Sequence, residues 1–69
     1  MKVSYKKLWK LLIDKSMSKA DLRKAVEMSP NTMTKMRRDE EVSMGVLLKI
    51  AAYLDCDISD ICEFVKEES

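Results

Sequence analysis

The sequence predicts an all-α domain built from five short helices. Three observations lead there. Apolar residues recur three and four apart in successive short segments, and most of these segments open on a Ser or Asp placed to cap them. Gly and Pro occur once each in 69 residues, too few for the turns of a β-rich fold. No apolar run approaches the ~18 residues of a membrane span. Lys10, Asp14 and Lys15 interrupt the amino-terminal apolar stretch, so it does not read as a secretion signal. The expectation is one cytoplasmic domain, residues 1–69, around a single small core.

The first helix is expected from about Ser4 to Lys15. Tyr5, Leu8, Trp9 and Leu12 follow one helical face, and Leu11 and Ile13 widen the apolar surface. That width suggests a second contact besides the core, either the C-terminal tail or another protomer. The second helix starts at Ser18, where Ser18-Lys19-Ala20-Asp21 has the form of a capping box with Asp for Glu. Leu22, Ala25 and Val26 are expected inward, with Met17 stapling the start. The third helix opens at Ser29-Pro30: Ser is a good N-cap, and Pro fits the first turn because its missing N–H has no partner there. Met33 and Met36 mark its core side. Asn31, Thr34, Lys35 and Arg38 fall on another face. Ser43 caps a fourth helix with the stripe Val46, Leu47, Ile50, Ala51 and Leu54. Asp57 caps a brief fifth, with Asp60 in the box position and Ile58 and Ile61 inward. Phe64-Val65 is expected extended against helix one, and Lys66 to Ser69 frayed.

The net charge of +1 conceals an asymmetry. Met1 to Arg38 holds 11 Lys and Arg against 3 acids, a charge of +8. Asp39 to Ser69 holds 2 against 9, a charge of −7. A basic half suits a polyanionic partner, although two solvated helix faces would produce the same numbers. Cys56 and Cys62 stand in a chain without His. Two thiols fall short of a tetrahedral zinc site and lack the base a nucleophilic Cys needs, so they read as reduced packing residues. With no His, no Gly-rich phosphate loop and no nucleophile–base pair, no enzyme, cofactor, metal or small-molecule substrate is expected.

Helices two and three, Ser18 to Arg38, have the pattern of a helix-turn-helix. The matching run is Lys19-Ala20-Asp21-Leu22, Val26, Met28-Ser29-Pro30-Asn31-Thr32-Met33, Met36, then Val42-Ser43, Leu47-Leu48-Lys49-Ile50-Ala51, Leu54, Ile58 and Ile61. In order and spacing these residues resemble the lambda-repressor-like fold of XRE/Cro-type bacterial and phage transcriptional regulators, over nearly the whole chain. Glu27 and Ser16 stand where that family usually carries Gly, and Arg23 where it usually carries a small residue. A left-handed backbone at Glu27 would cost about 1 kcal/mol. The closest approach of helix two is then expected at Ala25.

The resemblance implies a cofactor-independent regulator of double-stranded DNA, acting as a homodimer on a two-fold site. Helix three would read the major groove. Asn31 can pair with adenine, Lys35 can donate to guanine, and Thr34 can meet a thymine methyl, with Pro30 and Thr32 beside the bases or backbone. Phosphate contacts are expected from Ser18, Lys19, Arg37 and Arg38, with Arg23 and Lys24 after them. Helix one and Phe64-Val65 are the candidate dimer surface. The alternative is a protein-interaction module of the same fold, such as an antitoxin or adaptor.

Overall fold

The computed structural model describes residues 1–66. The elements run β1 (Lys2–Ser4), α1 (Lys6–Asp14), α2 (Lys19–Ala25), α3 (Pro30–Arg37), α4 (Met44–Leu54), a 3₁₀ turn (Ile58–Asp60) and β2 (Glu63–Val65). Four helices stand where five were expected. Asp57 and Asp60 do form their capping box, but the segment closes after one turn at Ile61. A three-residue stretch accommodates a single 3₁₀ turn and no more.

The second correction is a small antiparallel sheet at the chain ends. Lys2 pairs with Val65, Val3 with Phe64 and Ser4 with Glu63. Ser4 therefore belongs to β1, Tyr5 is the N-cap residue of α1, and Phe64-Val65 pairs with β1 instead of lying on α1. Phe64 is 75% exposed. Of the residues expected to fray, 67–69 lie outside the described residues.

The core gathers one stripe from every helix. Tyr5, Leu8, Leu12, Leu22, Met36, Ile50 and Ile61 are fully buried, with Met33, Val26, Leu47 and Leu54 around them. This is the amphipathic pattern read from the sequence, with two exceptions. Ala25 is exposed while Arg23 is half-buried, so α2 does not make its closest approach at the alanine. Ile58 lies mostly outside the core and Ile61 within it.

All four helices end alike. At Ser16, Glu27, Asp39 and Asp55 the backbone turns left-handed, with φ of 57, 55, 57 and 54°. The next N–H then closes onto the carbonyl five residues back: Met17 on Leu12 at 2.9 Å, Met28 on Arg23 at 2.8 Å, Glu40 on Lys35 at 2.9 Å and Cys56 on Ala51 at 3.0 Å. These bonds satisfy carbonyls that a helix end leaves without partners. The conformation favours glycine, yet the single glycine, Gly45, sits within α4.

Candidate nucleic-acid interface

α3 is held by its two ends, which leaves one long face outward. At its start Ser29 Oγ accepts from Thr32 N–H at 3.2 Å, and Pro30 occupies the first turn. The hydroxyls of Ser29 and Thr32 also bond each other at 2.8 Å, so half-buried Thr32 is committed to the cap. At its far end the carboxylate of Asp39 accepts from Tyr5 N–H at 3.3 Å, and Tyr5 O–H donates to the Glu40 carbonyl at 2.8 Å. Met33 and Met36 face the core. Asn31, Thr34, Lys35, Arg37 and Arg38 are exposed, as is Pro30. Thr34 Oγ1 donates to the Pro30 carbonyl at 3.0 Å, so this hydroxyl meets a partner as an acceptor.

Between α2 and α3 lies a shallow cleft of about 310 Å³, lined by Lys19, Ala20, Arg23, Pro30, Met33, Thr34 and Arg37. Three cations converge there and no carboxylate lines it. Arg23 reaches across the turn, Nη1 lying 3.5 Å from the Met28 carbonyl, which explains its partial burial. Lys19 Nζ lies 4.4 Å from the centroid of the Trp9 ring. Such a surface meets the charge requirement of a polyanion: cations with no carboxylate among the lining residues, beside the exposed face of α3.

Residues 7–67 match the family described as the Cro/C1-type HTH DNA-binding domain. The chain belongs to that family. Among solved structures, the crystal structure of the transcriptional regulator VanUg, form II, is 53% identical with a TM-score of 0.94, covering 96% of this chain and 88% of that one. No curated protein matches the chain.

In this Cro/C1-type domain the turn of the motif passes through Glu27 in a left-handed conformation, as the Gly usual at that position in the family implies. The start of α2 is more occupied than the sequence suggests. Ser18 Oγ accepts from Asp21 N–H and the Asp21 carboxylate accepts from Ser18 N–H, both at 3.0 Å. These bonds hold the Asp21 carboxyl below its usual range, the Ser18 backbone bond contributing most. Ser18 N–H is thus not available to a phosphate. Lys35 sits apart from the three-cation cleft. It lines a wider groove with Met1, Lys2, Val3, Phe64 and the acidic run Asp39, Glu40 and Glu41. Arg38 is the C-cap residue of α3 and, like Asn31, lines neither cleft. Cys56 and Cys62 are free and half-buried, and burial pushes both thiols up. Among the described residues no His, Cys, Asp and Glu group could hold a metal ion, and no helix is long and apolar enough to cross a membrane.

From the sequence alone, Arg23 was placed below Lys19 and the contact of Lys19 with Trp9 was not found. Arg23 lines the cleft on equal terms with Lys19, and their i, i+4 spacing on α2 was the available signal. The contact of Lys19 with Trp9 joins residues ten apart on different helices, and no local pattern announces it.

Proposed function

We propose that this Cro/C1-type DNA-binding domain is a sequence-specific transcriptional regulator that reads double-stranded DNA with the exposed face of α3. Asn31, Thr34 and Lys35 meet base edges, with Pro30 and Thr32 at the groove wall. Lys19, Arg23 and Arg37 grip phosphates, joined by Arg38. The carrying observation is the cleft between α2 and α3, whose three cations have no carboxylate among the lining residues. Phosphate contacts of this kind position the reading helix, and base contacts give it choice. The similarity to a transcriptional regulator over most of both chains supports the same reading.

One module makes few base contacts, so the domain acts as a homodimer on a two-fold site. Ile13 and Phe64, 74% and 75% exposed, are apolar positions suited to a protomer contact. Met44 and Leu48, one turn apart and exposed on α4, favour a second reading in which the domain docks another protein. Titration of mixed duplexes from roughly 50 to 200 mM salt separates the two. Regulator function requires a steep fall in affinity over that range. Selection from a random duplex pool then returns a paired half-site. Absence of duplex binding at the lowest salt rejects it.

A further inference from the structure

We propose that Trp9 is a positioning residue for DNA binding: its indole holds the Lys19 ammonium at the rim of the α2–α3 cleft, in fixed relation to the reading face of α3. The inference rests on the DNA-binding reading above and adds a role on α1, outside the helix-turn-helix. Lys19 Nζ stands 4.4 Å from the Trp9 ring centroid. Lys19 has no carboxylate within ion-pair distance among the described residues, where the one ion pair is Lys7 with Glu63. The indole is therefore its electrostatic partner. The ring's negative face attracts the ammonium without neutralising it, and an ammonium over a ring keeps donors for a phosphate oxygen.

The indole is itself anchored. Trp9 lies one turn beyond Tyr5 on α1, ring centroids 6.4 Å apart and tilted by 56°. Tyr5 is fully buried and bonded to Asp39 and Glu40, the residues that close α3. A chain of contacts thus runs from the end of α3 through Tyr5 and Trp9 to the first residue of α2. It fixes the span between a phosphate-gripping cation and the base-reading face. A free lysine loses side-chain freedom when it meets a phosphate, and one already seated on an indole has lost part of it beforehand.

A double-mutant cycle on the full chain tests this, using a mixed-sequence DNA duplex at low salt. Trp9→Leu weakens binding about two- to fivefold in the wild-type background, the size of an exposed cation–π contact. Trp9→Phe recovers most of the loss. In the Lys19→Ala background, Trp9→Leu has no further effect. An equal loss in both backgrounds, or none in either, overturns the proposal. Thermal melts confirm that each variant folds. Should Trp9→Leu fail to fold, the Lys19 ε-methylene protons of the wild type give a second measure. They are shifted upfield by the indole ring current, free and on the duplex, and unshifted protons overturn the proposal. Wild-type protein that binds no duplex removes the DNA-binding reading instead, a result distinct from a failed cycle.

Discussion

Two clefts in this molecule each gather three cations, and they differ in what surrounds them. Between α1 and the 3₁₀ turn, Lys7, Lys10 and Lys15 line a cleft together with Asp14, Asp55 and Asp60. There Lys7 donates to the Ser59 carbonyl at 3.2 Å and pairs with Glu63 at 3.7 Å, across the molecule. Between α2 and α3, Lys19, Arg23 and Arg37 line a cleft without a single carboxylate. In the first cleft Lys7 ties the basic half of the chain to the acidic half, and carboxylates stand beside all three lysines. The second is left to an outside partner. A charge count by sequence halves puts all six residues in one class, whereas compensation by neighbours separates them. Long-range attraction of a polyanion follows the uncompensated set.

Charge reversal in each cleft is the sharpest way to break this contrast. Arg37→Glu is expected to weaken duplex binding on the order of a hundredfold near 0.1 M salt, for all sequences alike, and to flatten the salt dependence. Lys10→Glu is expected to change it less than about twofold. Filter or anisotropy titrations over a salt series compare them, and equal losses would erase the distinction between the clefts. A smaller effect, of another kind, comes from α3. Asn31→Ala is expected to cost about 1–3 kcal/mol on the preferred site and to relax base choice at one position. An unchanged sequence preference after selection removes Asn31 from the reading set. The smallest effect separates scaffold from charge. Glu27→Gly relaxes the turn joining the cleft's two walls and leaves its lining residues in place. Unfolding should become about 1 kcal/mol harder, with the salt slope unaltered.

Local signals carried most of this fold. Ser29-Pro30 and the Ser18–Asp21 box fix their helix starts through bonds within three residues, so the chain states them openly. The burial of Met33 and Met36 and the left-handed turn at Glu27 follow from spacing and from family resemblance. The β1–β2 pair was hidden because its three-residue strands carry no readable alternation and are separated by the whole of residues 5–62. The supposed fifth helix misled because its capping signals are real, while their reach is one turn. At the site, the outward face of α3 was legible from periodicity. The occupied state of the Ser18 N–H, the cap bond of Thr32 and the acidic surroundings of Lys35 were not, because each depends on which neighbour a polar group finds once packed.

The four left-handed corners have one more consequence. Among the described residues, Asp39 alone of the four uses its side chain in a hydrogen bond, the one to Tyr5. Ser16, Glu27 and Asp55 hold their bends without such a bond, and none of them lines the cationic cleft. Each is therefore a place where a single exchange alters how long the folded molecule survives proteolysis and turnover. How much of the protein a cell keeps, and how tightly each copy grips its target, can drift apart along separate mutational routes.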